Sequence, residues 1–373
     1  MIVPEKRSFL RENGLYLLVL IGLLALPFLI GWATESSPYG VPRGDRMIMR
    51  GESVRWQAVM IEIFIIGILT MSYNLMFGFT GILSFGHALF YGLSGYIVGL
   101  MLEYTGIESN LALFLGIIIS VVVNALLGIL IGLVSLRLKG VYFAIFTLAV
   151  SEMFWIYFRG LSLTRAEDGF ALSHLPTWVD PTQNRLTFYY IVLIVFVGVF
   201  VFIRKLIHSP TGAVFQAIRE NENRAQAIGY DTLKYKLLSI MFASIMAALA
   251  GVAQIMLNKK VGPELLSVTN TVDPLLMNII GGIGTFTGPV IGSAGLHLLD
   301  TVLREATLTI GGTTIQIANI WGLILGAIFI IAVIIFPQGI VGTWKRMQNW
   351  FRTRGSKPLK KTGTQPSSSP PSV

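Results

Sequence analysis

Apolar segments follow one another along almost the whole chain, at about 15–33, 58–77, 82–102, 111–136, 141–158, 187–207, 237–257, 272–299 and 317–336. A helix of about 20 residues crosses a hydrocarbon core of about 30 Å, and each segment comes close to that length. The pattern predicts an all-α polytopic membrane protein of about eight transmembrane helices, with the remaining apolar length in broken or re-entrant segments.

Two of the segments are interrupted. One is NLMFGFTGILSFGHALFYGLSGY from Asn74 to Tyr96, with glycine at irregular spacing. The other is GGIGTFTGPVIGS at 281–293, which carries five glycines and a proline. Asn74-x-x-x-Gly78 is loosely echoed by Asn278-x-x-x-Gly282. Paired broken segments in two halves point to an internal inverted repeat and a translocation path between them. Path candidates are Asn74, Gly81, Ser84, Gly86, His87, Asn278, Gly281, Gly282, Gly284, Gly288 and Pro289. The plainer reading is that small residues let helices pack closely, and both readings can hold at once.

One polar stretch inside the apolar run still has the marks of a folded element: SPTGAVFQAIRENENRAQAIG, residues 209–229. Ser209 is a natural N-cap, Pro210 suits the first helical position, and Gly229 is a C-terminal stop. Val214, Ala217, Ile218, Ala225 and Ile228 recur at helical spacing, with Arg219, Glu220, Glu222, Asn223 and Arg224 on the other side. A headgroup-lying helix would show bulky apolar residues and a Lys/Arg-rich polar face. The small residues and mixed charge here favour docking of another protein.

Charge fixes an expected topology. Lys6, Arg7 and Arg11 precede the first segment, which reads as a retained span, since no small-residue cleavage site precedes Thr34. With that end inside, Arg137, Lys139, Arg204, Lys205, Arg219, Arg224, Lys234 and Lys236 fall inside, and Glu103 and Glu108 outside. The C-terminal tail holds Lys345, Arg346, Arg352, Arg354, Lys357, Lys360 and Lys361. It joins the same side if 272–299 enters the membrane, breaks and returns. Three regions follow: 1–57 with a first span and a polar loop, 58–342 as the transmembrane body, and 343–373 as a basic, Pro/Ser-rich disordered tail. The net charge of +9 fits this cytoplasmic bias better than nucleic-acid binding, because no basic patch with interleaved aromatics occurs.

Catalytic chemistry finds little support. No Gly-Lys dipeptide and no H-E-x-x-H occur, so a phosphate cradle of the P-loop type is absent from the sequence. Cysteine is absent, and His87, His174, His208 and His297 lack metal-ligand spacing. Ser84 and His87 sit three apart without an orienting carboxylate. Among intramembrane ionisable residues, Glu62 lies near a span end and reads as structural. Glu152 sits nearer mid-span, where it pairs, supports packing or lines the path, and it joins the path candidates.

Five ordered motifs resemble the membrane permeases of the branched-chain amino acid ABC importers, the LivM type, with urea permeases as close relatives. They are the 74–96 stretch, LRLKGVYFAIFTLA at 136–149, residues 209–236, IIGGIGTFTGPVIGSA at 279–294 and FPQGIVG at 336–342. The resemblance implies a transport subunit, not an enzyme, that moves a small polar solute into the cell. Branched-chain or other amino acids are the expected solutes, with urea as the alternative. It implies that 209–229 is the coupling helix, with Arg219, Glu220, Asn221, Arg224 and Gly229 matching the pattern and Ser209, Pro210, Gly212, Ala217 and Ala225 shaping it. Implied partners are a second homologous permease, two ATP-binding cassette subunits that hold ATP and Mg, and an external solute-binding protein. The setting would be the plasma membrane of a bacterium or archaeon, with both termini cytoplasmic. LTRAEDGF at 163–170 departs from the family's Gly-rich LTGG-like run. Rival readings are a stand-alone secondary transporter, for which Glu152 is the plausible coupling carboxylate, and a membrane scaffold.

Overall fold

The structure is a computed structural model that describes residues 9–43, 46–138, 140–305, 307–310, 313–316, 321–336, 338–344 and 346–347. Lys6, Arg7, Lys139, Lys345 and nearly all of the tail, expected on the cytoplasmic side, lie outside these residues. Helix α1 (Phe9–Ala33) is followed by α2 (Glu52–Asn74), which runs on into a π-helical turn, Leu75–Phe79. Then come α3 (His87–Tyr104), α4 (Ser109–Ser135), α5 (Val141–Gly160) and α6 (Arg185–Ile207). The polar stretch forms α7 (Pro210–Glu220) and α8 (Glu222–Ala227), and α9 (Thr232–Asn258), α10 (Thr269–Gly281), α11 (Gly288–Glu305) and α12 (Trp321–Ile335) follow. Among the described residues, strands are confined to three short antiparallel pairs.

Six of the described helices are long and apolar enough to cross a membrane. The expected figure of about eight differs for physical reasons. The 82–102 segment leaves its first residues unwound, so α3 begins only at His87, and α12 is described over 15 residues. Helix α2 starts at Glu52, six residues before the apolar run, because the 34–51 loop folds back on it: Gln57 Nε2 donates to Pro38 O (2.9 Å) and Ser53 N to Ser36 Oγ (3.0 Å). Burial grades from α1, about one-tenth buried, through α4 and α5 to α2, which is apolar on every side and 83% buried. A helix hydrophobic all round belongs at the centre of a bundle.

Cross-contacts give each helix a direction. Tyr189 and Tyr190 near the start of α6 donate to Leu23 O and Leu24 O of α1 (2.7 and 2.9 Å). Lys259 Nζ at the end of α9 lies 2.7 Å from Asp180 Oδ2, just before α6. Ser239 Oγ near the start of α9 meets Thr80 Oγ1 at 2.7 Å. Thus α2, α4 and α6 run toward the end that carries α7, and α3, α5, α9 and α11 run away from it. Two inverted units result. In the first, a long helix (α2) reaches the α7 end, an unwound leg (80–86) turns back, and α3 completes the return. In the second, the long α9 reaches the opposite end, a leg at 259–268 turns back, and the 13-residue α10 completes the return. Each return helix packs on the other unit: Gly95 of α3 faces Ile255 of α9, and Asn278 Nδ2 of α10 donates to Thr70 O of α2 (3.0 Å).

The Asn74/Asn278 echo is therefore not a symmetry relation. Asn74 ends a long first helix, and Asn278 sits in the other unit's short return helix. The 272–299 segment does enter, break and return: Gly284 reaches α7, His297 Nε2 lies 2.9 Å from Glu62 Oε2 midway along α2, and Thr301 further along α11 lines one hollow with Gly51, Glu52 and Arg185 at the starts of α2 and α6.

At the opposite end, residues 161–184 form a lid. Phe170–Ala171 pairs with Lys260–Val261, and Glu103 Oε1 accepts from Ser173 N and His174 N (2.5 and 2.9 Å). Within LTRAEDGF, Arg165 and Ala166 adopt φ of 58° and 50°. That left-handed conformation suits glycine, so the backbone keeps the shape of a Gly-rich run while the side chains depart from it.

Candidate functional site at the junction of two breaks

The helix expected over 209–229 is two helices. Asn221 interrupts it with extended backbone (φ −161°, ψ 103°), and its side chain accepts from Arg224 N (3.0 Å) as the N-cap of α8. Ser209 Oγ accepts from Gly212 N (3.3 Å), Pro210 opens α7, and Gly229 (φ 97°) ends α8. Gly212 packs against Leu206 O and Ile207 O, so α7 leaves α6 with no room for a side chain at that position.

The apolar face also differs from the sequence reading. Val214, Ile218 and Ala225 are buried together against Tyr235 of α9, with Ala217 half-buried, so this face is used within the chain. Ile228 is exposed. What remains open to another protein is the opposite, polar face: Gln216, Glu220, Asn221, Asn223 and Arg224.

Arg219 leaves that face. Its Nη1 donates to Gly78 O in the π-helical turn. A Cβ built on Gly81 would meet the Arg219 backbone and stem at 3.3–3.6 Å, and one built on Gly284 would collide with the guanidinium itself. Both glycines have positive φ, 79° and 72°. The guanidinium thus reaches both breaks, while the residue keeps an exposed side.

Hydrogen bonds bind the breaks to each other and take up many of their freed backbone groups, as low-dielectric surroundings require. Asn74 spans the gap, with Oδ1 accepting from Gly284 N and Nδ2 donating to Thr285 O, both at 3.0 Å. In the first break Gly81 N and Ile82 N turn back to Phe77 O and Met76 O (3.2 and 3.0 Å). Phe85 N donates to Thr147 Oγ1 of α5 (3.1 Å), Ala88 N to Thr271 Oγ1 of α10 (2.8 Å), and Tyr73 Oη to Ser84 O (3.0 Å). In the second, Gly282 N donates to Asn278 O (2.8 Å) and Gly288 N to Thr285 Oγ1 (3.1 Å). Gly281 packs on Gly288 O, Pro289 is buried in the first turn of α11, and Gly282 sits against Gly339 of the 336–342 motif.

All five sequence motifs thus meet at the α7 end. The cavity beside the first break, lined by Ser84, Gly86 and Thr147 among others, holds about 10 Å³, space for one water. Ser84 and His87 do not pair: Ser84 Oγ accepts from Gly86 N (3.2 Å), whereas His87 Nε2 lies 2.6 Å from Ser72 Oγ. His87 is fully buried, and its Nδ1 has no partner among the described residues. Glu152 is left outside the junction, half-buried on α5. Among the described residues no group of three His, Cys, Asp or Glu could hold a metal.

What sequence reasoning missed was chiefly the bonding: Ser72, Thr147, Thr271 and the backbone of Gly78. The signal available was polar residues in otherwise apolar spans, each requiring a partner.

Inverted units, an unwound leg buried in the bundle and a polar helix pinned to that leg and to the 281–288 break are the architecture of a polytopic membrane permease. The sequence pattern of the family described as "Branched-chain amino acid transport system / permease component" matches residues 57–333, and the chain belongs to that family. A "Probable branched-chain amino acid transport permease protein LivM" of Methanocaldococcus jannaschii is 27% identical over 256 residues, covering 60% of this chain and 74% of the relative. The "High-affinity branched-chain amino acid transport system permease protein LivM" of Escherichia coli is 25% identical over 351 residues, 87% of this chain and 74% of the relative. That of Salmonella typhimurium is 25% identical over 311 residues, 76% and 69%.

Proposed function

We propose that this chain is a transmembrane permease subunit of an ABC importer that carries branched-chain or other amino acids into the cell. The observation that carries the reading is Arg219. A side chain from the polar α7–α8 pair reaches both glycine breaks at that end, 80–86 and 281–288, so a push or pull on that pair moves both at once. In this account α7–α8 is the coupling element, and its polar face docks on a cytoplasmic ATPase. Arg137, Arg204, Lys205, Arg224, Lys234 and Lys236 lie at that end, while Arg159, Lys259 and Lys260 at the other are paired with Glu167, Asp180 and Glu264. ATP and Mg would be held by two such partner subunits, a second homologous permease would complete the membrane core, and an external binding protein would deliver solute to the lid end. Asn74, Gly81, Gly86, Asn278, Gly281, Gly282, Gly284, Gly288 and Pro289 then act as the joint of the path and need not touch solute.

Affinity purification of the tagged chain from its native membrane, with mass spectrometry of what accompanies it, tests the assembly. The expected result is two P-loop ATPases and a second hydrophobic permease. A chain recovered alone and active under an ion gradient would sink the proposal.

A further inference from the structure

Helix α5 carries a carboxylate in the middle of an exposed face. Ile145, Ala149, Glu152 and Ile156 are spaced by four, three and four residues and form one stripe within about 60° of arc. Ile145 and Ile156 are 56% and 62% exposed, Ala149 is exposed, and Glu152 lies half-buried among them. Glu152 is the twelfth residue of this 20-residue helix, about 17 Å along a length of about 30 Å, which places it at mid-membrane. It lies five residues beyond Thr147, the residue that receives the first break, on the side toward the lid.

No hydrogen bond or ion pair involves Glu152 among the described residues. The one cation of α5, Arg159, is committed elsewhere: its Nη2 lies 2.6 Å from Glu167 Oε1 and its guanidinium 4.9 Å over the Trp155 ring. A carboxyl group at this depth facing hydrocarbon is costly whether ionised or not, because lipid offers neither charge nor hydrogen bonds. The stripe is therefore not a lipid face. Of the polar side chains that flank it, Arg159 is held by Glu167 and Trp155 and Tyr142 stands at the α7 end of the helix, so neither gives Glu152 the company of a hydrogen-bonded protein seam.

We infer that the α5 stripe is a wall of the water-filled solute path, and that Glu152 receives the ammonium group of an amine-bearing solute as it crosses. The inference rests on the reading of the chain as an amino-acid permease and names the residue that would make it one. A neutral amide such as urea gives this carboxylate no cation to bind, so Glu152 separates the two solute classes.

The chain has no cysteine, so single replacements at Ile145, Ala149 and Ile156 report without background. In the assembled transporter in membranes, a membrane-impermeant cationic thiosulfonate should label all three, and leucine should protect Ala149→Cys and Ile156→Cys. In liposomes loaded with ATP, with the binding protein present, Glu152→Gln should raise the KM for leucine at least tenfold with subunit recovery unchanged, and Glu152→Asp should restore part of the loss. Cysteines that stay unlabelled, or Glu152→Gln with wild-type uptake, would overturn the proposal. So would subunits that separate on Glu152→Gln, which would make the carboxylate a seam contact. An assembly that labels as expected but imports only neutral amides would leave the path in place, and would reject the ammonium role together with the amino-acid reading.

Discussion

Arg165 and Ala166 hold left-handed backbone that a β-carbon disfavours by about 1–2 kcal/mol per residue, whereas glycine there loses about 0.5–1 kcal/mol in extra chain entropy. The steric term is the larger. Arg165→Gly and Ala166→Gly should each stabilise the lid by roughly 0.5–1 kcal/mol, read as a higher thermal midpoint in detergent. A lower midpoint would mean that the side chains make compensating contacts. Asp180 gives the lid its acid limit. Its side chain is buried, which raises its pKa, but the Lys259 ammonium and the Thr182 hydroxyl and N–H outweigh that and hold it below the usual carboxylate value. A depressed pKa contributes stability that is present above the unfolded value, near 3.9, and lost as pH falls through the folded one. Acid should release the 161–184 segment to protease at a higher pH in Lys259→Met than in the wild type. Identical profiles would contradict the assignment.

At the scale of elements, the apolar runs and their glycine interruptions were legible because hydrophobicity and glycine act locally. The partners that make the interruptions tolerable were not. Asn74 finds Thr285 at a sequence distance of 211 residues, and Phe85 finds Thr147 at 62. Nothing in a neighbouring window of sequence encodes such pairs. The break at Asn221 was missed for a related reason: its side chain caps a new helix locally, but an exposed polar residue within a polar run carries no periodic signal. Helix α1 shows the same non-local logic. Pro27 has no N–H to give Leu23 O, and Tyr189 supplies the missing donor at 2.7 Å. Tyr189→Phe should cost about 0.5–1.5 kcal/mol, and much less in a Pro27→Ala background, where the helix regains its own donor. Equal costs in the two backgrounds, measured as shifts of unfolding midpoint, would refute the pairing.

Over the whole molecule, the two inverted units place both breaks at one end, and one side chain joins them to a helix whose free face is polar. The fold class and the five motifs were readable beforehand, but their convergence was not, because α2 and α10 bring Gly78 and Gly284 together only after the bundle forms. The account therefore turns on Arg219 as the link between ATP hydrolysis and the breaks. Replacing it by alanine removes a charge-assisted hydrogen bond of about 1.5–3 kcal/mol, equivalent to roughly 10- to 150-fold in a coupled equilibrium. The direct measurement is solute imported per ATP hydrolysed by the reconstituted assembly, wild type against Arg219→Ala. The account predicts normal recovery of all subunits, continued hydrolysis and at least a tenfold lower transport ratio. An unchanged ratio would contradict it.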